Sequence, residues 1–229
     1  MRTSHQGDGE ELLFVMGWGN RVDGTNERWF ATQLANEGYR VTLVELPTNP
    51  RDFEAEYLGP VADLWQELGE PLVVGHSTGG LVAAHLRPER AVYVSPWWAF
   101  HGEKHRERIL RWGSKLPLSR PFVPIDFARE EVGPRVTDRG WGRIPDRVSP
   151  VFIREIRDAQ ASLPEISDRA RVCCSLRDTV VGLQGIGERV PSERVHLYDG
   201  RHEPFAAEDR EAATDVVLDA LEEVSNVPV

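Results

Sequence analysis

The segment Val73-Val-Gly-His-Ser-Thr-Gly-Gly80 restricts the fold more than any other stretch of the chain. An apolar run leads in, a run of small residues from Gly79 to Leu86 leads out, and the pattern G-x-S-x-G spans the join. The periodicity predicts a buried strand over 71–75 and a helix over 79–86. A tight turn between the two forces Ser77 into a strained backbone conformation and raises its hydroxyl above the end of the strand. Glycine is required at Gly75 and Gly79 because a side chain there would collide with neighbouring elements. The helix behind Ser77 aims its first amides and its dipole toward any negative charge that develops there.

The rest of the chain repeats this rhythm. Short apolar or β-branched runs at 11–16, 39–46, 71–75, 91–95, 171–176 and 194–198 read as strands. Amphipathic stretches at 27–37, 57–68 and 208–224 read as helices, and a shorter one is expected over 180–189. Strands that alternate with helices predict an α/β fold: a mainly parallel sheet of about six strands with helices on both faces. Between 97 and 165 the rhythm breaks into prolines, scattered charges and aromatics, with helices expected over 101–112 and 150–162. This stretch reads as a helical cap insertion on a single domain spanning 1–229, a length that suits one core.

Charge narrows the partners. A net charge of −10 disfavours nucleic acid, which needs clustered basic groups. Only Lys104 and Lys115 are lysines, an acidic, lysine-poor composition that fits either salt adaptation or a GC-rich genome. No apolar run is long enough to span a membrane. Met1 to Glu10 is polar and lacks the apolar core of a signal peptide, so cytoplasmic residence is the default expectation. Cys173 and Cys174 are adjacent, so on a strand they point to opposite faces; this reads as two buried core residues, neither a disulfide nor a metal site. No metal or organic cofactor is expected.

A serine hydroxyl needs a base before it can act as a nucleophile. His202, in Gly200-Arg-His-Glu-Pro-Phe205, follows the last predicted strand and precedes the last helix. It therefore lies at the carboxyl end of the sheet, where ligands bind in open α/β folds. Asp178 follows the strand before that and is the candidate acid to orient His202; Asp199 and Asp126 are its rivals. The main-chain N–H groups of Thr78 and Trp18 are the candidate oxyanion donors, since Gly17 and Gly19 flank Trp18 and allow close approach. Trp18, Trp97, Trp98 and Phe100 are the candidate substrate-binding residues, suited to an apolar acyl group on a small ester-type substrate; Trp97, Trp98 and Phe100 read equally well as packing that holds the insertion onto the sheet.

These motifs, Phe14-Val-Met-Gly-Trp-Gly19, Gly75-His-Ser-Thr-Gly-Gly80, Arg177-Asp178 and Gly200-Arg-His202, resemble those of the α/β-hydrolase superfamily. Asn26 to Phe30 and Leu46-Pro47 add a likeness to its compact serine hydrolases. Met16 stands where that family usually carries a histidine before the oxyanion glycine. The resemblance implies a Ser77–His202–Asp178 triad that cleaves a carboxylic ester or thioester through an acyl-enzyme. Amide or C–C bond hydrolysis and acyl transfer would use the same triad, and a non-catalytic binding protein on the same scaffold is the alternative of another class.

Overall fold

The structure, a computed structural model, describes residues 1–101, 118–125 and 127–226. The helix expected near 101–112 and the rival acid Asp126 fall outside the described residues.

The core is one sheet of strands β1 (Arg2–Gln6), β2 (Glu10–Val15), β3 (Tyr39–Glu45), β4 (Leu72–His76), β5 (Ala91–Val94), β6 (Arg171–Cys174) and β7 (Val195–Leu197). Their order across the sheet is β1-β3-β2-β4-β5-β6-β7. Every pairing from β3 to β7 is parallel, whereas β1 runs antiparallel to β3, with Arg2 opposite Glu45 and Gln6 opposite Val41. The sheet thus has seven strands rather than six. The extra one lies in the polar opening segment and returns into β2 through Gly7, whose φ of 83° makes the tight reversal possible.

Strand periodicity divides the core in two. Leu13, Val15, Val73, Tyr93 and Cys174 point to one face, beneath helices α2 (Gly59–Glu67), α3 (Thr78–Leu86) and α4 (Pro150–Ala161). Leu12, Phe14, Val74, Val92 and Cys173 point to the other, against α1 (Thr25–Asn36) and α5 (Arg210–Ser225). Both cysteines are buried and free, one on each face. On α5, Ala213, Val217, Ala220, Leu221 and Val224 recur at helical spacing and all face the sheet. The Asp209 side chain accepts the Ala212 N–H and starts that helix, as Ser149 does for α4 through the Phe152 N–H. The stretch expected to form a helix over 180–189 holds only one helical turn, Gln184–Gly187.

Within 97–165 the described residues form a two-stranded ribbon, Val123–Pro124 with Arg147–Val148, two single helical turns and α4. Phe152, Ile153 and Ile156 of α4 pack into the main core. The ribbon residues Val123, Pro124 and Val148 stand over the carboxyl ends of the strands and help enclose a cavity there.

Candidate active site

Ser77 caps α3 with φ 53° and ψ −120°, a conformation that a non-glycine residue holds only when its surroundings impose it. Those surroundings are visible. The Ser77 N–H donates to the Val94 carbonyl at 3.0 Å, and the Ser77 carbonyl accepts from Gly80 and Trp97, both at 2.9 Å. A Cβ at Gly79 would lie 2.0 Å from the Val15 carbonyl oxygen, so helix α3 can approach β2 only without one. Gly75 is equally closed, with the Gly80 Cα at 2.8 Å from a would-be Cβ.

Asp178 and His202 come from the loops that follow β6 and β7. The His202 Nδ1–H donates to Asp178 Oδ2 at 2.8 Å, and both side chains are buried. The other carboxylate oxygen, Oδ1, accepts the N–H groups of Val180 at 2.9 Å and Val181 at 3.2 Å. Burial pushes the Asp178 pKa up, but the charge and hydrogen bond of His202 and these two amides outweigh it and hold it below the usual range. Burial likewise pulls His202 down, and the Asp178 charge and hydrogen bond, with Glu203, outweigh that and raise it. With the proton on Nδ1, Nε2 carries a free lone pair. Asp199, the rival acid, has a side chain 84% exposed and pairs with Arg177.

The loop carrying His202 is braced. Its main-chain N–H donates to the Glu131 carbonyl at 3.3 Å, and its carbonyl accepts the Tyr198 hydroxyl proton at 2.8 Å. Ser95 Oγ lies 2.8 Å from that same hydroxyl, tying the His202 loop to the strand that supports Ser77.

Ser77, Thr78, Trp18 and His202 all border one cavity of about 430 Å³. Its walls are mainly apolar, including Trp97, Phe100, Ile125, Ile144 and Phe152. The Trp18 ring stacks on Phe152 with centroids 6.0 Å apart, and its indole N–H is engaged by the Thr48 carbonyl at 2.7 Å. The loop before Trp18 lies against the serine, since a Cβ at Gly17 would stand 3.0 Å from Ser77 Cβ. Thr78 is the first residue of α3, so its N–H has no partner within the helix.

Trp98 is a correction to the expected substrate-binding set. It is 1% exposed, packs on Tyr93 at 5.0 Å and donates its indole N–H to the Gly80 carbonyl at 3.2 Å. Trp97 and Trp98 are neighbours that point in different directions; only Trp97 borders the cavity.

Residues 12–219 match the model of the alpha/beta hydrolase family. The chain belongs to that family. No curated protein matches the hydrolase. Solved structures share its fold at low identity. A monoacylglycerol lipase from Paleococcus ferrophilus is 18% identical with a TM-score of 0.75, and the match covers 99% of each chain. A soluble variant of monoglyceride lipase from Saccharomyces cerevisiae is 15% identical, TM-score 0.69, over 99% of this chain and 92% of that one. A protein from a study of carboxylesterases of Nitrososphaera gargenis is 15% identical, TM-score 0.67, over 98% and 94%.

Some residues of the hydrolase's cavity carried no sequence expectation. His76 lies with its ring centroid 4.9 Å from that of His202, and its Nδ1–H donates to Asn20 Oδ1 at 3.2 Å. Burial, and then the neighbouring His202, hold His76 well below the usual histidine range, so it is neutral. Asn20 and Glu203 also border the cavity. The one hint for Glu203 was an acid directly after the candidate base.

Proposed function

We propose that this hydrolase cleaves carboxylic esters or thioesters with an apolar acyl part, through an acyl-enzyme on Ser77. The observation that carries the reading is the buried 2.8 Å bond between His202 and Asp178, on loops that border the same cavity as the strained Ser77. Ser77 Oγ attacks the carbonyl carbon while His202 Nε2 takes its proton. The imidazolium that forms faces the Asp178 carboxylate, which also fixes the tautomer. The N–H groups of Thr78 and Trp18 receive the oxyanion. His202 then returns the proton to the leaving alcohol or thiol, and water, activated by the same imidazole, releases the acid.

The apolar walls support an apolar acyl group, whose burial contributes about 0.8 kcal/mol per methylene. The lipases and carboxylesterases among the structural relatives support ester chemistry. The N–H groups at Trp18 and Thr78 are main-chain donors, so Met16 in place of the family's usual histidine leaves the chemistry available. A panel of p-nitrophenyl esters set against matched anilides tests the reading, together with a fluorophosphonate probe. Ester turnover with Ser77 labelled is the expected result. No ester turnover, or label that persists in Ser77→Ala, would refute it.

A further inference from the structure

Among the described residues Glu203 is the one carboxyl group that borders the cavity, and it follows His202 directly. Its residue is 7% exposed. Its main chain is fixed through its N–H, which donates to the Val132 carbonyl at 3.0 Å, next to the bond that fixes His202. Its Oε1 accepts an amide proton of Asn20 at 2.8 Å. The second amide proton of Asn20 goes to Glu27 Oε1 at 2.9 Å, and its carbonyl takes the His76 proton. One buried amide therefore holds two carboxyl groups and the ring that lies against His202.

Among the described residues neither carboxyl forms an ion pair, although the Arg143 charge acts on Glu27 from a distance. A smaller hollow of about 40 Å³ lies beyond it and shares Asn20, Glu203, Val132 and Ile144 with the large cavity. Its arginines are committed elsewhere: Arg21 to Glu45 at 2.9 Å, Arg143 to Asp23 at 2.7 Å and Arg139 to Asp23 at 3.3 Å. The groups that face Glu203 are Glu27 from α1, neutral His76 from β4, and His202 with Asp178 behind it. Glu131, on the neighbouring helical turn, is taken by the Thr179 hydroxyl at 2.7 Å.

We propose that Glu203, held by Asn20, is a positioning residue for the reaction: a second acid that supports the His202 imidazolium alongside Asp178. The inference rests on His202 as the general base. Asp178 is charged throughout the working range, whereas Glu203 is not. An unpaired buried carboxyl resists ionisation. Burial, then the charge of Glu27, push Glu203 up to about 8, against the opposing pull of the Asn20 bond and His202. The His202 charge opposes that rise, and Glu203 in turn raises His202, so the protonation of each biases the other.

The direction of the effect follows. With both groups protonated, His202 cannot accept the serine proton. Loss of one proton frees the base in part of the population, and loss of the second leaves a neutral base beside a charged Glu203. That last state stabilises the imidazolium formed in the transition state best, so kcat/KM rises over two ionisations.

The test is the pH profile of kcat/KM on a p-nitrophenyl ester for the intact protein, Glu203→Gln and Asn20→Ser, each checked by thermal melting. Glu203→Gln is expected to rise over a single ionisation, with its midpoint at lower pH and an alkaline plateau lower on the order of tenfold, the scale of one nearby charge. In Asn20→Ser, Glu203 loses the bond that favours its charged form, and the upper step moves to higher pH. Should Glu203→Gln fail to fold, that movement decides the matter. A Glu203→Gln profile with the shape of the parent's, or an upper step unmoved in Asn20→Ser, overturns the inference alone. Absence of ester turnover in the parent overturns the hydrolase reading, and this inference with it.

Discussion

Replacing Asp178 by asparagine changes one atom, and its effect can be worked through the hydrogen bonds. In the parent, Oδ1 accepts the Val180 and Val181 N–H groups, and Oδ2 accepts the His202 Nδ1–H at 2.8 Å. Asparagine has one acceptor oxygen. Directed at His202, it would turn its NH2 against two main-chain N–H donors, so the oxygen stays with the amides and the NH2 faces Nδ1. Nδ1 must then become an acceptor, and its proton moves to Nε2. The nitrogen that should take the serine proton already carries one. The same inversion in serine proteases lowers turnover by about 10⁴, which corresponds to roughly 5 kcal/mol of transition-state stabilisation. Steady-state kinetics on a p-nitrophenyl ester, with a thermal melt to confirm folding, measures the loss. Asp199→Asn is the control, since that side chain is exposed and paired with Arg177, and it should retain full activity. A folded Asp178→Asn within about tenfold of the parent, well short of the loss expected for a wrong tautomer, would refute the assignment of His202 as base and Asp178 as its orienting acid.

Ser77→Ala should keep the fold and lose ester turnover and fluorophosphonate labelling; retained turnover would place the nucleophile elsewhere. The two neighbouring tryptophans should separate cleanly. Trp97→Ala should weaken selection among acyl chain lengths, seen in kcat/KM across an ester series, whereas Trp98→Ala should destabilise the fold by about 3–5 kcal/mol in denaturant unfolding, as truncations of large buried aromatics do. Glu203→Gln should also change stability. The native carboxyl, at about 8, keeps a proton that the unfolded chain loses near 4.5, so the native state binds more protons across that window and stability falls as pH rises through it. The variant should show a shallower fall in melting temperature between those values, and an unchanged slope would contradict the burial argument.

The alternation of strands and helices made the parallel sheet legible, because each strand from β2 to β7 carries its own apolar signal. Strand β1 carries none. Arg2-Thr-Ser-His-Gln6 is held by main-chain pairing and by contacts such as His5 Nδ1 to Thr42 Oγ1 at 2.9 Å, which leave no hydrophobic pattern. The helix expected over 180–189 shortens to a turn in a stretch holding Gly182, Gly185 and Gly187, where backbone entropy opposes helix. At the site, Ser77 was legible because its constraints are local: one strand, two glycines and one helix. Asp178 was preferred to Asp199 because Asp199 ends the last strand, where a turn residue is expected, and their environments separate the two, one buried beside His202 and one in solvent. The Asn20–Glu203 bond joins residues 183 positions apart and has no local signature. Trp98 was misread because the strand end before it does not say which of two adjacent indoles turns inward.

The two rims of the sheet bear on how the molecule can be handled. On one side β7 is only three residues long, too short to template another chain; on the other, β1 covers β3 from Val41 to Glu45 with polar side chains and an arginine. Trimming the first seven residues would leave the main-chain donors and acceptors of β3 bare beside Val41 and Leu43. A shortened version made for crystallisation or fusion should therefore tend to self-associate, and a tag placed ahead of Arg2 would be the safer choice.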